Sequence, residues 1–397
     1  MSHIVSFRIE GLAGRKEALD LKLNRDTNIL FGLNGSGKTS LLKILHAAMS
    51  NETENLRSVP FTAAEVSIYS VYRKQVFTRS IKKPKRFTAG RRIIRSVSHH
   101  EDLIGSEVVL KEALLSQEHF VWSCTPSKPE EACSMRWKHE YLPTTRLHFG
   151  DEPYMLFAEG SSPGRPWITE EQLDSLFANA VERLWSRYSA TVLGAVRLAQ
   201  EQGLASILRA VLSAESAKRD SRASKLTPKT AYKRVQNFLK RQGSAAILGG
   251  QAAFEKRYIK DPTLQDVVQD IDSVEDNIEA AMASRNKLQD LITRMFTGNK
   301  EIRFTDESIK AYGGSGDEIG LASLSSGEKH LLRIFVQSLL AGESSMIIDE
   351  PELSMHIDWQ KDLIHCLRAL NPDTQLIFAT HSPEIMADLT DDKIFEI

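Results

Sequence analysis

The sequence predicts an α/β fold organised around a phosphate-binding loop, on the strength of three stretches. In Phe31–Leu45, Gly32-x-x-x-x-Gly37-Lys38-Thr39 follows the apolar run Asn28–Phe31 and opens a helix whose apolar face carries Leu41, Leu42, Ile44 and Leu45. Ser344–Glu350 is an apolar strand ending in two carboxylates, Asp349 and Glu350. Gln375–Thr380 is another apolar strand, and it ends at His381.

The first stretch has the chemistry of a polyphosphate site. Its glycines let backbone N–H groups turn toward phosphate oxygens without a Cβ clash. The helix start adds partial positive charge. Lys38 reaches the β- and γ-phosphates, and Thr39 holds Mg²⁺. The expected nucleotide-binding set is Gly32, Asn34, Gly35, Ser36, Gly37, Lys38, Thr39 and Ser40, with ATP and Mg²⁺ as the bound species.

Composition narrows the class. The chain has 397 residues, 41% of them hydrophobic, enough for a large core. A net charge of −1 confines any nucleic-acid surface to a local patch. Three cysteines, Cys124, Cys133 and Cys366, have no metal-ligand spacing, and a reduced, cytoplasmic setting is expected. The N-terminus lacks the apolar core of a signal peptide, and no run approaches the about 18 apolar residues of a membrane span.

Taken in order, Ile4–Ile9 and Ala18–Leu23 read as strands leading to the loop. Residues 60–148 read as β-rich, with apolar residues at Val66, Ile68, Val71, Tyr72, Val76 and Phe77, then Glu107–Leu110 and Phe120–Trp122. Val66–His100 contains no acid, whereas Arg73, Lys74, Arg79, Lys82, Lys83, Lys85, Arg86, Arg91, Arg92 and Arg95 are basic. Arg73–Arg95 is therefore either an anion-binding strip, for nucleic acid or an acidic partner, or a solvated hairpin with charged edges. Thr169–Gln172 reads as a capping box opening a helical block with apolar faces through Leu173–Leu184 and Leu204–Leu212. Lys218–Arg241 is basic, with Asp220 its one acid. From Leu264 to Phe296, Ile271, Val274, Ile278, Ala281, Leu288, Ile292 and Met295 keep heptad spacing, with Arg285 the misfit. This is either a short coiled-coil arm packed on the helix after Thr169 or an ordinary bundle helix. Gly298 and Gly313–Gly316 close the block. The expected division is residues 1–150 with the phosphate loop and a β-rich lobe, 151–318 as a helical insertion, and 319–397 as the second half of the nucleotide-binding domain.

That second half supplies what a phosphate loop lacks. Asp349 would hold Mg²⁺ through water, and Glu350 would polarise an attacking water. Leu324-Ser325-Ser326-Gly327-Glu328 opens a helix with small hydroxyl residues and glycine, a second anion site. Ser382-Pro383-Glu384 reads as N-cap, Pro at N1 and an acid in the first turn.

The phosphate loop, LSSGE, IIDEPELSMH and FATHSPE, in that order, resemble the ABC-type ATPases of the RecF/SMC/OLD group. The likeness covers roughly 1–50 and 320–397 with specific motifs, and the middle only weakly through YLPTTR. Two departures are visible: LSSGE stands for LSGGQ, and Ile357 stands where Pro often follows the His of the family's ELSLHP.

The resemblance implies an ABC-type P-loop ATPase with a β-rich arm and an inserted helical, short coiled-coil-like block. It implies two copies closing head to tail, as a homodimer or within a larger oligomer, with ATP between one copy's loop and the other's signature. Ser325, Ser326 and Gly327 would then contact nucleotide in trans. Thr39 and Asp349 would hold the metal, Glu350 would act as base, and His381 would sense the γ-phosphate. It further suggests the ATPase subunit of an anti-phage defence system, as in PARIS-type pairs. Because only residues 382–397 follow His381, an effector on another chain is expected, such as a TOPRIM nuclease. The alternative is a RecF- or SMC-like DNA-repair ATPase. A transporter subunit fits less well, since a helical block separates loop and signature, and a scaffold with a dead ATP site is weakened by the full motif set.

Overall fold

The computed structural model describes residues 2–83, 120–126, 134–144, 169–212, 226–241, 243, 248–296 and 300–397. In chain order the elements are β1 (His3–Glu10), β2 (Leu19–Lys22), β3 (Thr27–Phe31), α1 (Lys38–Ser50), β4 (Ala63–Ser70), β5 (Gln75–Lys82), β6 (Ser123–Thr125) and β7 (His139–Leu142). Next come α2 (Glu170–Leu212), α3 (Pro228–Arg241), α4 (Gln251–Lys260), α5 (Pro262–Met295), β8 (Lys300–Phe304), β9 (Ile309–Gly313) and β10 (Glu318–Ile319). The chain closes with α6 (Ser326–Ala341), β11 (Ser345–Asp349), α7 (Ile357–Leu370), β12 (Gln375–Thr380), α8 (Pro383–Met386) and β13 (Ile394–Glu396). Two compact units result: Met1–Leu184 with Leu291–Ile302 and Lys310–Ile397, and Trp185–Asp290 with Arg303–Ile309.

In the first unit, the strands expected over residues 4–9 and 18–23 form β1 and β2, paired antiparallel in a sheet ordered β2-β1-β4-β5-β6. A second, parallel sheet runs β13-β3-β12-β11-β7. Helix α1 buries nine of its thirteen residues. Its Leu41, Leu42, Ile44 and Leu45 join Ile4 and Phe7 of one sheet and Ile347, Ile377 and Ala379 of the other in one core. Gln375, fully buried, ties the sheets together. Its amide donates to the carbonyls of Ile4 and Asn24, and its side-chain oxygen accepts from the Ile4 amide and the Ser345 hydroxyl. Every hydrogen-bonding site on that amide is thus used, as burial requires.

The β-rich stretch differs from expectation in detail. Val71 and Tyr72 lie in the β4–β5 turn, with Tyr72 exposed, and the strand near Trp122 is Ser123–Thr125 instead. Glu107–Leu110 lies outside the described residues. The anion-binding strip needs correction at two positions. Arg79 is completely buried, its guanidinium over the Trp137 ring and donating to the carbonyls of Ala48 and Met135. Lys83 donates to the carbonyls of Arg57 and Val59 at 2.8 and 2.7 Å. Both cations saturate carbonyls of the fold and are not available to a polyanion. Lys85, Arg86, Arg91, Arg92 and Arg95 lie outside the described residues.

The second unit is helical. The capping box forms at the start of α2, in the part of that helix that belongs to the first unit, with Gln172 N–H donating to Thr169 Oγ1 and Thr169 N–H to Gln172 Oε1. Within the unit, Val274 and Ile278 of α5 pack on Ala199 and Val196 of α2. At Gly203 a Cβ would sit 2.0 Å from Val274 Cγ2, so the helices meet this closely only because the residue is glycine. The heptad misfit has a local reason: Arg285 pairs with Asp306, donates to the Phe304 carbonyl and lies over the buried Trp185 ring. The helix ends at Met295, and Gly313–Gly316 form the turn of the β9–β10 hairpin rather than the end of the helical block.

Arg79→Leu should destabilise the protein by about 2–4 kcal/mol, because two buried carbonyls lose their donor. Lys82→Glu, at an exposed position, should change stability by less than about 0.5 kcal/mol. Chemical denaturation midpoints of the two variants distinguish a structural arginine from a solvated lysine.

Candidate nucleotide site

Strand register sets the site. In the parallel sheet Thr380 pairs with Phe31, and Asp349 pairs with Ala379. The ends of β3, β12 and β11 therefore stand side by side, and the residues just beyond them are the phosphate loop, His381 and Glu350. In α/β sheets this C-terminal edge is where ligands bind.

The loop itself is glycine-dependent at two points. Gly37, the N-cap of α1, has φ 101°, a conformation few side chains adopt. At Gly32 a Cβ would lie 2.3 Å from the Ile397 carbonyl. Leu33, Asn34 and Gly35 are exposed. Ser36 Oγ is buried with no partner, while Thr39 is exposed and Ser40 half-buried at the first turn of α1. Lys38 is buried, and its Nζ donates to the carbonyls of Gly32 and Leu33 at 2.7 and 3.1 Å. Burial pulls the Lys38 pKa down, and the charges of Glu350, Asp349 and Glu352 act against that fall.

Lys38 Nζ also lies 3.5 Å from His381 Nδ1. A charged lysine makes Nδ1 the acceptor, which leaves the proton on Nε2. That nitrogen is 3.4 Å from Glu350 Oε1. Lys38, His381 and Glu350 thus form a line from the phosphate loop to the carboxylate. Glu350 has φ 50°, a left-handed conformation outside the strand, and its N–H donates to the Ala379 carbonyl at 2.8 Å. This turn swings the carboxylate toward His381 while Asp349, still in β11, stays 1% exposed.

Asp349 carries the best evidence for a cation. Its Oδ2 accepts from Thr144 Oγ1 at 2.7 Å, while Oδ1 is buried without a partner. A buried carboxylate oxygen without a donor suits a hydrated Mg²⁺, which prefers carboxylate and water ligands. With Thr39 at the start of α1, the residues present fit that ion.

The signature segment is well defined. Ser325 caps α6 in a full capping box: its Oγ accepts from Glu328 N–H at 3.3 Å, and its own N–H donates to Glu328 Oε2 at 2.6 Å. Lys300 holds the same carboxylate at 2.8 Å. Ser326 is exposed, and at Gly327 a Cβ would sit 2.3 Å from the Ser354 carbonyl. No hydrogen bond among the described residues joins Ser325, Ser326 or Gly327 to residues 32–40. At the departure noted above, His356 caps α7 and Ile357 begins it. Ser382 precedes Pro383 as expected, but its hydroxyl bonds Gln360 and Glu384 rather than the backbone.

Two neighbours were not singled out from the sequence. Thr144 belongs to YLPTTR, but only the β7–β11 pairing places it on Asp349. Glu352, the third acid of IIDEPE, is tied to the His381 segment across a sequence gap that local patterning does not bridge. Tyr141, on the same strand as Thr144's approach, has its pKa pushed up by burial and by the charge of Asp349.

Residues 211–387 match the family described as "AAA domain, putative AbiEii toxin, Type IV TA system". A retron Vc95 probable ATPase of Vibrio cholerae serotype O1 biovar El Tor is 30% identical over 93 residues, 20% of this chain. The chain covers 18% of that relative's length. Among solved structures, an Smc head domain bound to the C-terminal domain of ScpA from Pyrococcus furiosus matches at 13% identity and TM-score 0.40, over 98% of this chain and 92% of that one. An SmcHead bound to the C-winged helix domain of ScpA matches at 11% identity and TM-score 0.43, over 97% and 91%.

Thr144→Val should raise the Mg²⁺ concentration needed for half-maximal ATP turnover by about tenfold, the usual cost of losing a group that orients a metal-holding carboxylate. Titration of Mg²⁺ into EDTA-treated protein measures it. The phosphate loop, the paired acids and the histidine thus stand on one sheet edge, and the AAA-domain match over residues 211–387 takes in the last two of these.

Proposed function

We propose that the protein hydrolyses ATP at the C-terminal edge of its parallel sheet and uses the cycle to control an effector protein in trans, within a bacterial anti-phage defence system. The observation that carries the catalytic part is the Lys38–His381–Glu350 line, with 3.5 and 3.4 Å between successive groups. Loop amides 34–38 and Lys38 take the β- and γ-phosphates. Thr39 and Asp349 are the residues to hold Mg²⁺, which when bound offsets phosphate charge. Glu350 accepts a proton from the attacking water, and His381 holds Glu350 through Nε2 while reading the γ-phosphate position.

In this reading two copies close head to tail. Ser326, exposed at the start of α6, and the backbone of Gly327 meet the partner's γ-phosphate through the helix N-terminus. ATP then stabilises the closed pair by mass action, and hydrolysis releases it. The names of its relatives, a retron's probable ATPase and a putative toxin of a type IV TA system, support a defence setting with a partner component. The trigger for effector release is a change of ATP state. Among the described residues no helix is long and apolar enough to cross a membrane.

Glu350→Gln should keep nucleotide binding and slow hydrolysis by about 100-fold or more, the range lost with a general base. It should accumulate an ATP-dependent dimer on size exclusion, and adding Ser326→Arg should abolish that dimer while each chain still binds nucleotide. Wild-type hydrolysis by Glu350→Gln would overturn the assignment of the base.

For the effector, the measurement is co-purification of the neighbouring gene product with and without ATP, joined to phage challenge of each gene alone and of both together. Protection requiring both genes, with nucleotide-dependent association, is the expected outcome. Full protection by this chain alone would overturn control in trans.

A further inference from the structure

Glu352 lies two residues beyond the proposed base, in the turn Glu350–Met355 between β11 and α7. Its Oε1 accepts three hydrogen bonds from one short segment: the Thr380 hydroxyl at 2.7 Å, the His381 N–H at 2.7 Å and the Ser382 N–H at 3.2 Å. Those residues are the end of β12, the histidine itself and the residue after it. Two successive backbone N–H groups pointing at one oxygen make a small anion-binding concavity, here filled by a side chain of the same protein. The second oxygen, Oε2, is buried without a partner, so the carboxylate is committed to this contact.

Other bonds hold the segment too: the Ser382 N–H is shared with the Thr380 hydroxyl at 2.9 Å, and β12 pairs with β3 as far as Thr380, so among the described residues the His381 N–H is the part that Glu352 holds alone. Helix α8 is one turn long, and the Ser382 hydroxyl bonds Gln360 and Glu384 rather than capping it. His381 touches Lys38 and Glu350 at 3.5 and 3.4 Å, at the long edge of hydrogen bonding, so its ring depends on its backbone for position. Charge-assisted bonds to a carboxylate are stronger than neutral ones, and a group held within a fraction of an ångström is what a proton-handling site requires.

We propose that Glu352 is a positioning residue for hydrolysis: its carboxylate clamps the backbone of His381 so that the imidazole bridges Lys38 and Glu350. The inference rests on the proposed reading of His381 as the γ-phosphate sensor. Glu352 bonds the backbone around the histidine and so acts through it. In the same turn the backbone of Ser354 passes close to Gly327 at the start of α6.

The test uses the full chain, with four variants assayed together: Glu352→Ala, Glu352→Gln, His381→Ala and the Glu352→Ala/His381→Ala double. Glu352→Ala should lower kcat by about tenfold or more while the Kd for a fluorescent ATP analogue changes less than about twofold. Glu352→Gln retains an acceptor oxygen and should recover most of the rate. The double variant should be no slower than His381→Ala alone, because the clamp has nothing left to hold. Additive losses in the double variant, a wild-type rate in Glu352→Ala, or a Gln variant as slow as the Ala variant would each overturn the clamp. If Glu352→Ala unfolds, the Gln variant and its double with His381→Ala decide the same question. A wild-type rate in His381→Ala would instead overturn the sensor assignment, so the two failures are distinguishable.

Discussion

Everything at the site depends on β12 hydrogen-bonding in parallel between β3 and β11. Those strands come from the two ends of the chain, with Ile377 opposite both Asn28 and Ile347. Sliding this register by one residue would turn the apolar faces of β12 over and carry His381 away from Lys38 and Glu350. All six residues of β12 and all five of β11 are buried, so their register is specified by packing on both faces. Gln375 and Ser345 at the opposite ends of these strands lock it further, since a slip would strand a fully bonded buried amide. The chemistry at one edge is thus fixed by polar contacts at the other.

Much of this was legible in the sequence because its signals are local. A glycine loop between an apolar strand and an apolar helix, a strand ending in two acids and a strand ending in histidine each occupy fewer than about twenty residues, the scale at which periodicity and turn chemistry act. The 3–4 spacing of α5 was legible for the same reason, and its misfit Arg285 is explained by Asp306 and Phe304, which come from a different element. What the sequence hid was the partner of each charged group. Arg79 and Lys83 look like members of a basic surface, but burial of one and carbonyl contacts of the other make them structural. Thr144 and Glu352 look like ordinary turn residues until strand pairing places them on Asp349 and His381.

The second unit shows how one residue's size sets a helix approach. A Cβ at position 203 would run into Val274, and the cluster of Ala199, Val274 and Ile278 beside it uses small and β-branched side chains. A second cluster, Ala231, Val235, Tyr258, Val268 and Ile271, holds α3 and α4 on the long helix. Arg234 and Arg241 of α3 are paired with Asp272, Asp276 and Glu275 of α5, so these two members of the basic stretch 218–241 are balanced within the unit itself, while residues 218–225 lie outside the described residues. Those pairs are partly exposed, and they set the helix register more than they add stability.

The electrostatics of the site also explain why a divalent cation belongs to the proposed chemistry. Among the described residues Lys38 is the cation of the line, and Glu350, Asp349 and Glu352 all act on it. Among the described residues, a triphosphate approaching that edge would meet the carboxylates of Asp349 and Glu350 as well as Lys38, the loop amides and the α1 helix start. Burial raises the cost, because repulsion between like charges grows as water is removed. Glu352 is neutralised in effect by the backbone N–H groups it accepts, and Glu350 by His381. Asp349 has less: among the described residues one oxygen accepts a single hydroxyl bond, from Thr144, and the other has no partner. That oxygen belongs to the last residue of β11. A hydrated divalent ion there would satisfy that oxygen and the incoming phosphates at once, which makes nucleotide and metal binding mutually dependent.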